Sequence, residues 1–262
     1  MTTFAEPAAP IAQDQRWHVS RLGLGTVKFG RNQQVKFPGG DGFALPSDRQ
    51  IEMLLDVALE CGIGLLDTAP AYGIAEERLG KLLGARRSQF FLVTKTGEEF
   101  ADGRSHHDFT AQHTRMSVER SLRRLRTDVL DCVLLHCSAD DVEAIARTPA
   151  LETLARLKEA GKVRSFGAST YTVEGGKLAV ELCDCAMVTY NKAATADRAV
   201  IELARRNGKA ILVKKGLASG HLGREGAAEH IRFVVGTPGV TTLVVGSINP
   251  DNIRADAQAA AA

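Results

Sequence analysis

Residues 64–72 read GLLDTAPAY, and residues 130–136 read LDCVLLH. Each holds an apolar run that stops at an ionisable residue, Asp67 in the first and His136 in the second. The runs are apolar throughout rather than alternating, which is the pattern of a strand buried on both faces of a parallel sheet. Working outward, similar runs start near 22 (LGLGTVKF), 90 (FFLVTK), 164 (RSFGAS), 186 (AMVTY), 210 (AILVKK) and 241 (TTLVVG). Helical patterns lie between them. In DRQIEMLLDVALEC, residues 48–61, Ile51, Leu54, Leu55 and Ala58 form one stripe, with Ser47 placed to cap it. Residues 112–126 stripe Val118, Leu122 and Leu125, and their arginines fall on a solvated outer face. Further helices fit 149–160, 174–183, 195–207, 225–235 and 250–261.

Eight strand–helix repeats with no break in composition predict an α/β fold of one domain, a closed (β/α)8 TIM barrel over residues 20–262 behind a flexible polar leader, 1–19. A length of 262 residues suits that architecture. An open doubly wound sheet fits less well: Gly23 and Gly25 lie inside the first strand pattern, and no GxGxxG turn opens a helix after it. Connections 30–46 and 96–110 are long and follow strands, so they belong at the C-terminal face, where barrel active sites form. They are the expected walls of a substrate pocket, with His106, His107 and Phe109 in the second.

A net charge of +2 argues against a dedicated nucleic-acid surface. No run reaches the roughly 20 apolar residues of a membrane helix. The start, MTTFAEPAAPIAQDQ, has neither a basic nor an apolar targeting region, so a cytoplasmic protein is expected. The five cysteines are odd in number and mostly sit in apolar runs, which reads as free buried thiols. Cys183-Asp184-Cys185 alone is too short a motif to imply a metal. Whether the chain is a monomer or an oligomer is not legible.

Two further residues join Asp67 and His136. The run FLVTK stops at Lys95, and Tyr72 follows Asp67 by five positions. Taken singly, each has a plain structural reading: a helix cap, a snorkelling lysine, a hydrogen-bonded core histidine. Four such groups at the same end of neighbouring strands converge on one mouth.

At these residues the chain resembles the aldo-keto reductase family. LGLGTVKFG is similar to its first-strand signature, and LLDTAPAYGIAEERLGKLL to its second strand, catalytic loop and following helix. FLVTK, SVERSLRRLRTDVLDCVLLH and LETLARLKEAGKVRSFGAST extend the likeness, which spans roughly residues 20 to 256. The resemblance implies nicotinamide-dependent reduction of a small carbonyl substrate, with Asp67, Tyr72, Lys95 and His136 as the catalytic tetrad. In that scheme Tyr72 gives a proton to the carbonyl oxygen. Lys95 favours the tyrosinate, Asp67 holds Lys95, and His136 orients the oxygen.

The implied cofactor side departs from the family. Its Ser-Asn pair reads Ser169-Thr170, its Gln is Met187, and its stacking aromatic is Lys214, with Tyr190 a substitute that the pattern does not place there. Lys215, Gly216, Leu217 and Ser219 remain to hold a pyrophosphate. Ser247 matches the family's serine near the last helix, whereas Asn252 stands where a basic residue clamps the adenosine 2′-phosphate, and Ala255 and Asp256 stand for a later Glu and Asn. NADP(H) is therefore the expected cofactor, with NAD(H) competing. Two other readings stay open: a nucleotide-binding sensor or partner subunit without turnover, and a Schiff-base lyase using Lys95 or Lys214.

Overall fold

Strands that are apolar on both faces need a filled interior and a covered exterior, and a closed barrel provides both. The computed structural model describes residues 17–35, 40–218 and 225–262. Eight parallel strands close in the order β1 (Leu22–Gly25), β10 (Thr242–Val245), β9 (Ala210–Lys214), β8 (Cys185–Thr189), β7 (Val163–Ser169), β6 (Leu130–His136), β3 (Phe91–Thr96) and β2 (Leu65–Asp67). Along each strand, successive side chains point in and out. Leu65, Val93, Cys132, Leu134, Cys185, Met187, Ala210 and Leu212 fill the interior. Leu66, Leu92, Val133, Leu135, Val188, Ile211 and Val213 face outward against the helices.

Those helices are α2 (Asp48–Glu60), α3 (Ala75–Leu82), α4 (Ala111–Leu125), α6 (Ala150–Glu159), α7 (Val173–Leu182), α8 (Arg198–Arg206), α9 (Ala227–Val235) and α10 (Pro250–Ala261), with the shorter α1 (Val27–Gly30) and α5 (Asp141–Ala146). Ser47 caps α2 in a reciprocal capping box with Gln50, a contribution of about 1 kcal/mol. The expected stripe Ile51, Leu54, Leu55 and Ala58 is fully buried.

Several boundaries differ from expectation. The first strand ends at Gly25 rather than running through LGLGTVKF, because the amide and hydroxyl of Thr26 both donate to the Asp67 carbonyl and the chain turns into α1. The leader does not reach residue 19: Trp17 and Val19 are buried in the barrel interior, with the Trp17 ring 4.9 Å from that of Phe91. Fully burying such side chains contributes about 1.5–3 kcal/mol each, enough to tie this segment down. Connection 96–110 is not irregular. It folds as an antiparallel hairpin, β4 (Glu98–Ala101) and β5 (Arg104–His107). Its turn residues Asp102 and Gly103 have φ of 51° and 71°, the left-handed pair of a type I′ turn. The five cysteines are unpaired. Among the described residues no helix is long and apolar enough to cross a membrane.

Candidate active site

Each chemical group is set at the mouth by the end of its strand. Asp67 is the last residue of β2, Lys95 the next-to-last of β3 and His136 the last of β6. Tyr72 closes the single 3-10 turn Pro70–Tyr72. That turn is held by a close backbone approach: a Cβ on Gly30 would lie 2.4 Å from the Tyr72 carbonyl oxygen, and one on Gly73, at φ +63°, only 2.2 Å from the Gly30 oxygen. Glycine at both positions lets α1 clamp the loop.

The four residues expected to converge do so. Lys95 Nζ donates to Asp67 Oδ1 at 2.5 Å, to the Thr68 carbonyl at 2.9 Å and to the Tyr72 hydroxyl at 3.1 Å. The Tyr72 and His136 rings meet edge-on, 6.2 Å apart at 85°. Burial works against the Lys95 charge, but Asp67 and Tyr72 outweigh it and hold the ammonium above its usual range. Burial likewise pushes Tyr72 up to about 12, and Lys95 only partly offsets it. Lys95 does favour the tyrosinate, as expected, but burial, helped by Asp67, outweighs it, and Tyr72 keeps its proton at neutral pH.

Glu98, on β4, was not foreseen. Its Oε2 lies 2.7 Å from His136 Nδ1, and its Oε1 accepts from the Ser105 hydroxyl at 2.6 Å. Burial opposes the Glu98 charge, but His136 and Ser105 bring the carboxyl down to about 2. Burial lowers His136, against the pull of Glu98. The Asp102–Gly103 dipeptide in the sequence is a hairpin signal and would have folded Glu98 back toward the mouth.

The cofactor candidates divide. Ser169, ending β7, is 1% exposed and accepts from Lys214 Nζ at 2.9 Å. The Lys214 ammonium lies 4.5 Å from the ring centre of Tyr171, and that of Lys215 5.4 Å. Tyr171, also unforeseen, is 48% exposed. It is presented by buried Asp141, whose carboxylate accepts from the amides of Tyr171 and Thr172. Gly216 and Leu217 follow Lys215 in the same connection, and Ser219 and Arg224 lie outside the described residues. Met187 belongs to the interior cluster, and its carbonyl accepts from the Thr170 amide. Tyr190 is fully buried and stacked on Phe233 at 5.3 Å, so it does not face the mouth. Ser247 precedes α10 and Asn252 lies in its first turn. Arg254 reaches away to Glu60 at 2.9 Å.

This donor set fits a nicotinamide dinucleotide. Burial first, then Lys215 and Lys95, lower Lys214 to about 7, and among the described residues it has no ion-pair partner, so an anionic group suits it. The hydroxyls of Ser169 and Ser247 and the amides at the start of α10 add neutral donors. His106 and His107 are exposed on β5, His107 lying opposite Glu98 in the hairpin, whereas Phe109 is half-buried against the core. Arg31, from connection 30–46, donates to the Ala71 carbonyl at 3.2 Å and stacks 3.6 Å over Phe100 of the hairpin. A cleft of about 960 Å³ opens at the opposite face, near His18, Gln89 and Arg164, and holds none of the tetrad.

A closed parallel barrel carrying a Tyr–Lys–Asp–His cluster at its C-terminal mouth defines an oxidoreductase class. The model of the aldo/keto reductase family matches residues 21–230, and the chain belongs to that family. A solved Pseudomonas aeruginosa protein assigned to the aldo-keto reductases is 46% identical, with a TM-score of 0.85, covering 93% of this chain and 90% of its own. The holo form of an aldo-keto reductase from Bacillus halodurans is 25% identical, TM-score 0.77, over 94% of this chain and 88% of its own. Aldo-keto reductase YhdN of Bacillus subtilis is 33% identical over 59% of this chain and 44% of its own length. Against the curated relatives, then, the match spans less than half of their length. The family comprises oxidoreductases that act on carbonyls and alcohols with nicotinamide cofactors.

Proposed function

We propose that this protein reduces the carbonyl of small aldehydes or ketones to the alcohol. The observation that carries the reading is the Lys95 ammonium joined at once to Asp67 and to the Tyr72 hydroxyl, beside His136. When bound, a reduced nicotinamide nucleotide would supply the hydride that the carbonyl carbon takes up. As the carbonyl π pair moves to oxygen, the Tyr72 O–H bond breaks and the alcohol O–H forms. Lys95 stabilises the tyrosinate left behind, which solvent reprotonates. His136 faces the developing oxyanion and fixes its direction.

Lys214, Lys215 and Ser169 would hold the nucleotide on one side of the mouth, and Ser247 and Asn252 would take its adenosine end. NADP(H) is the expected partner, with NAD(H) close behind, because Asn252 offers a neutral hydrogen bond where a cation would offer a charged one. Arg31 and Phe100 border the substrate side. The test is loss of reduced-nicotinamide absorbance with a panel of aldehydes, after calorimetric titration of each cofactor. Cofactor binding without turnover of any carbonyl would favour a nucleotide-binding sensor. The low-lying Lys214 amine supports a second reading, imine formation with a carbonyl. Borohydride trapping of a substrate adduct at Lys214 would establish it.

A further inference from the structure

We propose that Glu98 is a positioning residue for His136, holding the imidazole proton on Nδ1, so that Nε2 donates to a substrate oxygen only when the ring is the imidazolium. The catalytic half of this inference rests on the reductase reading, whereas the placement of the proton does not.

Nδ1 and the carboxylate oxygen are 2.7 Å apart, and both side chains are only 13% exposed. Two bare acceptors that close would repel, which puts a proton at this contact even though the ring N–H and the carboxylate are not in hydrogen-bond alignment. It belongs to the ring, because the Ser105 hydroxyl donates to the other carboxylate oxygen and stabilises the ionised form. A histidine whose Nδ1–H is held by a carboxylate has a lone pair on Nε2 while neutral. That lone pair repels a carbonyl oxygen, and one more proton turns it into a donor. A carboxylate on the far ring nitrogen also stabilises the cation.

The surroundings set this balance from every side. Glu98, on β4, favours the cation. Burial, Lys95 on β3 and Lys214 on β9 oppose it. The Tyr72 ring packs edge-on. Around Glu98 itself stand Arg31, Tyr171 and its cross-strand partner His107. Burial, Lys95 and Lys214 together outweigh Glu98, so the second proton is held less tightly than on a free imidazole, and rising pH converts Nε2 from donor to acceptor. The hairpin, which otherwise looks like decoration on the barrel, carries the group that decides this.

The test is long-range proton–nitrogen NMR of the full chain labelled with 15N-histidine, followed through its titration. The His136 signals are identified by their loss in His136→Asn. The neutral wild-type ring is expected to show the Nδ1–H tautomer. In Glu98→Gln the titration midpoint should fall by at least one pH unit, a tenfold weaker hold on the second proton. The kcat/KM for aldehyde reduction should fall with rising pH above the wild-type midpoint, and in Glu98→Gln the profile should move with the NMR midpoint while reduced-cofactor affinity stays put. An Nε2–H tautomer in the wild-type protein overturns the proposal without reference to any variant, and so does an unmoved midpoint in Glu98→Gln. The predicted tautomer in a protein that reduces no carbonyl supports the proton placement and defeats the reductase reading instead.

Discussion

Two lysines, Lys95 and Lys214, stand at the same mouth on strands that lie opposite each other around the barrel. Each has its ammonium beside a tyrosine ring, at 4.6 Å for Lys95 over Tyr72 and 4.5 Å for Lys214 over Tyr171. Their charges are nonetheless pushed in opposite directions. Lys95 has the Asp67 carboxylate at 2.5 Å and is held charged. Lys214 has a serine hydroxyl and the neighbouring charge of Lys215, and falls to about 7. Burial alone therefore does not decide the state of a lysine; the partner does. One half of the mouth is complete within the chain, and on the proposed reading the other is completed by an anionic group of the cofactor.

The sharpest break in the complete half is Tyr72→Phe. It removes the hydroxyl from the Lys95 network and leaves the ring packing. Reduction should fall by a factor of about 10² to 10⁴ with the fold retained, as checked by turnover and thermal melting. A variant that keeps most of its turnover would take Tyr72 out of the chemistry. Next in size is Lys95→Met, which strands the buried Asp67 carboxylate. A loss of about 3–5 kcal/mol in denaturant unfolding is expected, and adding Asp67→Asn should restore most of it. Unchanged stability of the single variant would mean that the pair is not held together.

In the other half the sign reverses. Lys214 has a folded pKa of about 7 against 10.5 when free, so between those values the unfolded chain binds more protons. Its burial therefore costs most below pH 7, and stability from this group rises as the pH climbs from 7 toward 10.5. Lys214→Met should abolish that rise and stabilise the protein at neutral pH by about 1–2 kcal/mol, while weakening the reduced cofactor. Equal pH slopes in wild type and variant would show Lys214 to be an ordinary solvated lysine. The smallest effect concerns cofactor choice. With Asn252 in place of a cation, the dissociation constants of NADPH and NADH at one salt concentration should agree within about tenfold. A hundredfold preference for NADPH would mean that another cation, such as Lys215 or Arg224, reaches the 2′-phosphate.

The same two halves differ in how far they could be read from sequence. Asp67, Lys95 and His136 are visible because an apolar strand ends on each, and the register of a parallel barrel then brings those ends together. Tyr72 is visible through its spacing and through the likeness of DTAPAYG to the family. Glu98 is not, because it acts only after the hairpin folds back over β6, and a run of polar residues reads first as a loop. Tyr171 depends on Asp141, thirty positions away, to pin the turn beneath it. Trp17 looks like part of a polar leader until the barrel closes and offers an apolar plug site. Local pattern fixes which residues end a strand, whereas hairpin packing and long-range capping decide what those residues meet.

The most direct test of the central claim follows the hydride itself. The protein is incubated with an aldehyde and a reduced nicotinamide cofactor deuterated at the transferring position, and the alcohol is analysed by mass spectrometry. The account predicts one deuterium on the carbinol carbon with the wild-type protein and almost no labelled product with Tyr72→Phe, although both bind the cofactor. Alcohol formed without the label, or the same labelled yield from Tyr72→Phe, would contradict it.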